Sequence, residues 1–267
     1  YGATEFENSR FEFHGTGKEM FKGFIKAILF FVVIYGGFIF AVYNQWMIIG
    51  LIWLYVGFLL LIPLAIHGSY KYRMSRTSWR GIRFGYRGNR GEFFRLFFKE
   101  LFFTIISLGI YGAWFSMNLR NYVLGHIRFG NAEFKYRGRG SEYFLLNIKG
   151  YFFTILTLGI FMFWWQKDLF NYYINHLSLH QNEREIRFRS NASGGDFAGL
   201  MIVNFLLMIF TLGIGYPWIV TRTLKFIFSK IEVVGNIDTD QLVQTEAAYT
   251  DATGEDMSDM LDIGFVI

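Results

Sequence analysis

The chain has 267 residues, 53% of them apolar and 21% aromatic, with a formal charge of +5. No ordinary soluble domain of this length keeps so much apolar surface out of water, so composition alone places it with integral membrane proteins. Its lack of cysteine excludes disulfides, thiolate metal sites and cysteine nucleophiles.

The net charge conceals a division. All 26 Lys and Arg lie at or before Lys230, so residues 1–231 carry +14, while the stretch from Glu232 to Ile267 carries nine acids, no Lys or Arg, and −9. A basic body followed by an acidic tail implies two electrostatic roles.

The opening residues alternate around Phe11 and Phe13 and reach Glu19 through Gly15 and Gly17. From Phe21 to Tyr43 the chain is apolar apart from Lys22 and Lys26, and after an uncharged turn at Asn44-Gln45 a second apolar run extends from Trp46 to Ile66. At ~1.5 Å per residue each is long enough to cross a ~30 Å hydrocarbon core.

A basic loop follows, and within it the opening recurs as Phe84, Tyr86, Arg87, Gly88 and Glu92; it recurs again as Phe134, Tyr136, Arg137, Gly138 and Glu142. A looser version runs from Ile186 and Phe188 to Asp196. Aromatic alternation followed by glycine predicts a strand and a turn, with the acid at a helix N-terminus where negative charge is favoured. The later parts align as well: Leu108-Gly109-Ile110, Trp114 and His126 match Leu158-Gly159-Ile160, Trp164 and His176, then Leu212-Gly213-Ile214, Trp218 and Lys230. Four repeats result, at about 10–77, 82–127, 132–178 and 184–231, with an acidic cytoplasmic tail over 232–267.

Charge placement selects between two topologies. Single spans, such as Leu101 to Leu119, give five crossings and put successive basic loops on opposite faces. Helical hairpins turning at each Leu-Gly-Ile give about eight membrane-embedded helices, some of them short, and keep every basic loop and both termini on the cytoplasmic side, as the positive-inside rule favours. The expected fold is therefore an all-α membrane protein with small cytoplasmic β-strands, five spans being the fallback. Ile127-Arg128-Phe129 and Glu133 to Tyr136, separated by Gly130-Asn131, form one expected β-hairpin. The tail is expected to be weakly ordered.

The Leu-Gly-Ile turns, the Phe-x-Tyr-Arg-Gly openings, the loop Ser78 to Phe84 and the ending Asp262-Ile263-Gly264 together resemble the YjgN-like family of bacterial multi-pass inner-membrane proteins. That resemblance covers about residues 10–264 and implies a location without a known reaction or catalytic residues. Pro217-Trp218 keeps a family feature that Ala113-Trp114 and Phe163-Trp164 lack.

Chemistry-bearing residues are few. His176 and His180 stand four apart, the spacing of a helical metal pair, but no carboxylate completes a hydrolytic motif and His176 occupies a helix-end cation position. Gly15-Thr16-Gly17-Lys18 has neither the glycine spacing nor the following hydroxyl of a phosphate loop. Arg76, Trp79, Arg80, Arg83, Arg87, Arg90, Arg137, Arg139, Arg187 and Arg189 interleave cations with aromatics; beside membrane spans such residues meet anionic lipid headgroups or a protein partner rather than nucleic acid. Asn204 is the polar residue well inside an apolar run, a candidate intramembrane polar site. No catalytic set, metal or cofactor is expected. The reading is a non-enzymatic scaffold or accessory subunit; the alternative is a transporter or channel, for a small solute or a lipid, built from the repeats.

Overall fold

Thr16 caps the first long helix. Its hydroxyl accepts from the Glu19 amide while the Glu19 carboxylate accepts from the Thr16 amide, a reciprocal pair that satisfies two otherwise orphaned donors. In this computed structural model, which describes residues 5–6, 9–182, 184–235 and 241–245, that helix, α1, spans Gly17–Tyr43, and α2 spans Met47–Arg76. Gln45, at φ 61°, makes the turn between them. Ile34, Leu61 and Ala65 form the seam where the two helices pack. Most other apolar side chains on the pair point outward: only 11% of the most apolar 18-residue stretch of either helix is buried.

The described residues fall into two compact units, one drawn from 1–99, 126–133 and 240–267, the other from 100–125 and 134–239. In the first unit, strands β1 (Glu5–Phe6), β2 (Ser9–Phe13), β3 (Thr77–Trp79), β4 (Ile82–Tyr86), β5 (Ile127–Phe129) and the start of β6 (Ala132–Tyr136) pair antiparallel in chain order. Trp79, Phe84 and Phe129 pack ring on ring across them, with centroids 4.5–5.8 Å apart. Helix α3 (Arg90–Ile106) leaves this unit after placing Phe93 beside His67 of α2.

In the second unit α4 (Gly112–Gly125), α5 (Gly140–Leu156), α6 (Met162–Asn175), α7 (Gly194–Phe210) and α8 (Tyr216–Ser229) pack each on the next. Strands β7 (Leu177–Gln181), β8 (Arg184–Ser190) and β9 (Ile231–Val234) continue the antiparallel order. Close approach is made through glycine: the Trp114 ring lies on Gly140 and the Trp164 ring on Gly194, where a β-carbon would sit within 2.4 and 2.6 Å of indole carbons. Met117, Tyr136 and Tyr172 form the buried cluster beneath.

The helix breaks have one cause. Leu108, Leu158 and Leu212 have φ of 52°, 50° and 49°, each followed by a glycine at φ 92°, 96° or 88°. Each glycine amide donates to a carbonyl five residues back, at 2.8, 2.7 and 2.9 Å, which closes the helix with left-handed residues as Schellman-type ends do.

The expected fold class is corrected here. Two helices among the described residues, α1 and α2, are long and apolar enough to cross a membrane, not eight. Helices α3 to α8 have 14 or 17 residues and reach only ~21–26 Å against a ~30 Å core. The five-span fallback fails as well, because the left-handed pair at Leu108-Gly109 breaks the run from Leu101 to Leu119 into two helices. The strands are not a minor addition either: the described residues hold nine, each paired antiparallel with a neighbour. Short alternating segments such as Arg184–Ser190 carry weak individual signals beside the long apolar runs. Glu232, the first residue of the expected tail, lies within β9 and pairs with Arg189. Apart from β9, Gly235 and 241–245, the acidic tail, with Asp262-Ile263-Gly264, lies outside the described residues.

Candidate functional site

The polar chemistry gathers where strands enter helices. Four backbone amides just after a strand donate to the carbonyl of a residue that ends a later helix: His14 to Arg76 (2.8 Å), Arg87 to His126 (2.9 Å), Arg137 to His176 (3.1 Å) and Asn191 to Lys230 (3.1 Å). Arg76, His176 and Lys230 also pair with an acid in the first turn of the helix so entered. Arg76 meets Glu19 at 3.0 Å, His176 meets Glu142 at 3.4 Å, and Lys230 meets Asp196 at 3.0 Å. Acid at a helix start and the Arg76 or Lys230 cation at a helix end each oppose the local backbone dipole, so those two closures are favoured twice.

Their environments differ. The Arg76 guanidinium is 9% exposed and makes two hydrogen bonds to Glu19, at 3.0 and 3.2 Å. Asp196 is half-exposed, and its carboxyl is held down at about 2, first by the Ser193 amide and hydroxyl and then by Lys230. Beside His176, the Tyr172 hydroxyl accepts from the Arg139 amide at 2.7 Å and donates to the Arg139 carbonyl at 2.9 Å. Burial raises the pKa of Tyr136, Tyr172 and Tyr173, and the Arg120 guanidinium lies 3.9 Å over the Tyr173 ring.

The predicted basic residues separate into groups. Arg76 and Trp79 are interior: the first belongs to the closure with Glu19, and the second is 2% exposed with its indole N–H on the Ser9 carbonyl. Neither can meet a headgroup as expected. Arg80 lies 4.5 Å over the Trp79 ring and bonds the Ser9 hydroxyl. Arg83 and Arg90 are half-buried, while Arg87, Arg137, Arg139, Arg187 and Arg189 are exposed. Arg137 and Arg187 converge on Glu185 at 4.0 and 2.6 Å, and the Arg187 bond is the main reason that the Glu185 pKa is lowered.

His176 and His180 face different acids, Glu142 and Glu185. No group of three or more His, Asp or Glu among the described residues is placed to hold a metal. Gly15-Thr16-Gly17-Lys18 is the cap of α1. Asn204 donates to the Thr223 hydroxyl at 3.0 Å, and its own side-chain oxygen is buried without a hydrogen-bond partner among the described residues.

Sequence reasoning overlooked Glu100. It is 1% exposed on α3, accepting from the Asn118 amide at 2.7 Å. Burial and the nearby Glu100 carboxylate raise the Tyr111 pKa. Glu100 follows Lys99 in an aromatic run, so its signal was an acid eight residues beyond Glu92, well past the helix start.

Fold and site together define an α-helical and antiparallel β protein with a helix pair fit to cross a membrane and polar closures at its helix ends. The chain belongs to the bacterial family of unknown function DUF898, the YjgN family, whose model matches residues 1–144 and 150–260. No curated protein and no solved structure matches it.

Proposed function

We propose that this chain is a multi-pass bacterial inner-membrane protein with no catalytic activity, a scaffold or accessory subunit. In this reading α1 and α2 cross the bilayer and return, both termini stay cytoplasmic, and the exposed arginines meet anionic headgroups or a partner protein. The observation that carries it is the charge pattern of the helix pair. No Asp, Glu, Lys or Arg occurs between Lys26 and Lys71, while Lys18, Lys22, Lys26, Lys71, Arg73 and Arg76 cluster at the end opposite the Asn44 turn, as cytoplasmic flanks do. The four matched closures support reading the helix pairs as repeats of one unit.

The test is the lipid retained by the protein purified in mild detergent, measured by mass spectrometry. Changing Arg137, Arg139, Arg187 and Arg189 together to Gln should lower the ratio of anionic to zwitterionic lipid, since each cation near a charged membrane contributes ~1 kcal/mol. An unchanged ratio refutes headgroup binding at these residues. Removing residues 236–267, which leaves β9 intact, should change the proteins that co-purify; an unchanged set refutes a partner role for the tail.

A further inference from the structure

Between α7 and α8 lies a cleft of about 320 Å³ that none of the closures fills. Its floor is made by two glycines one turn apart, Gly195 and Gly199, and its apolar wall by Leu200 and Phe226. A β-carbon at Gly199 would meet nothing within 4 Å. The corresponding place on α3 is taken by Arg95 and on α5 by Leu145, as the shared Leu-Gly turns set the register. The cleft thus exists because α7 has no side chain there.

Its polar rim carries unequal charges. Lys230 is already matched by Asp196 at 3.0 Å, and Asp196 also accepts from the Ser193 amide and hydroxyl. Arg222 lines the same cleft and has no hydrogen-bond or ion-pair partner among the described residues. The rim therefore holds two cations and one committed carboxylate, a net charge of +1 concentrated on a guanidinium. A guanidinium fork suits the paired oxygens of a phosphate, and an adjoining apolar wall suits the carbon chain attached to one.

We infer that the cleft of Gly195, Gly199, Phe226 and Arg222 is a binding site for a singly charged phosphate group, as carried by a lipid headgroup or a free phosphate monoanion. The inference deepens the membrane reading and rests on it only where the phosphate is a lipid's. Arg222 binds the anion, Lys230 holds Asp196 away from it, and Phe226 covers an attached chain.

The experiment uses the full chain in detergent, titrated at pH 6 with inorganic phosphate and, separately, with a short-chain phosphatidic acid, followed by calorimetry. Two variants probe the cleft: Arg222→Gln removes the charge, and Gly199→Leu fills the floor from a position where a β-carbon meets nothing within 4 Å. Arg222→Gln should weaken binding about 10- to 100-fold, the loss of a charged hydrogen-bonding partner, and Gly199→Leu should weaken it at least about 10-fold by occupying the cleft. Lys135→Gln, which removes an exposed charge on β6 outside the cleft, should leave binding within about twofold. Response to inorganic phosphate as well as lipid identifies a free-phosphate site; response to the lipid alone identifies a headgroup site. Absence of binding to both, or equal weakening by the Lys135 variant, overturns the inference. Loss of anionic lipid in the four-arginine variant with this cleft unaffected separates the two readings.

Discussion

Replacing Glu19 by Gln tests what the closures contribute. The substitution retains the shape and the capping hydrogen bonds, since Gln serves at the third helical position as well as Glu. It removes the charge that faces Arg76. That guanidinium is 9% exposed and Glu19 is 31% exposed, with two hydrogen bonds between them. Breaking a fully buried pair costs ~3–5 kcal/mol because the remaining charge stays desolvated. Partial exposure of Glu19 reduces this by screening, which leaves ~2 kcal/mol, or a melting temperature lower by ~4–8 °C. Arg76→Met in the Glu19→Gln background should recover much of the loss, because an apolar side chain leaves no unpaired charge. Thermal unfolding in detergent, followed by tryptophan fluorescence, measures all four proteins of the cycle. A Glu19→Gln variant that melts with the parent, or a double variant no more stable than it, refutes the reasoning.

Three further outcomes follow from the geometry. Gly140→Ala places a β-carbon 2.4 Å from the Trp114 ring and should cost ~1–3 kcal/mol by overpacking, read as a lower melting temperature with altered tryptophan emission. Leu158→Asn should raise the melting temperature by up to ~4 °C, since Leu158 has φ 50° and is 94% exposed while Asn tolerates the left-handed region better; a decrease means that the Leu158 side chain contributes packing. Asp196 is held at about 2 against an ordinary 3.8, so its stabilisation is complete above the ordinary value and is lost as pH falls through about 2. Carboxyl NMR should show it still ionised at pH 3, and a midpoint near 3.8 contradicts the capping assignment.

Part of this fold can be read directly from residue order. The hairpin at Gly130-Asn131, the breaks at Leu-Gly, the apolar pair on either side of Asn44 and the acids at helix starts each follow from local chemistry that a short window contains. What misled was length: apolar runs such as Leu101 to Leu119 satisfy a membrane window, and only the left-handed pair inside shows that neither half is long enough. The burial of Arg76 and Trp79 was also hidden, because a basic aromatic loop has the same composition whether its side chains face solvent or the interior. Pairings across long separations, such as Glu19 with Arg76, needed the structure. Glu100 was lost among its aromatic neighbours, and the cleft beside Arg222 is defined by what Gly199 lacks.

The central claim is that the two long helices cross the membrane and return, so that the arginine-bearing segments share one compartment. Because the chain has no cysteine, single cysteines at Asn44, Arg87 and Arg137 can be labelled without background by an impermeant maleimide on intact spheroplasts. Asn44→Cys is expected to react from outside, and Arg87→Cys and Arg137→Cys only after the membrane is permeabilised. Arg87→Cys and Arg137→Cys labelling from opposite sides, or Asn44→Cys protected together with both, contradicts it.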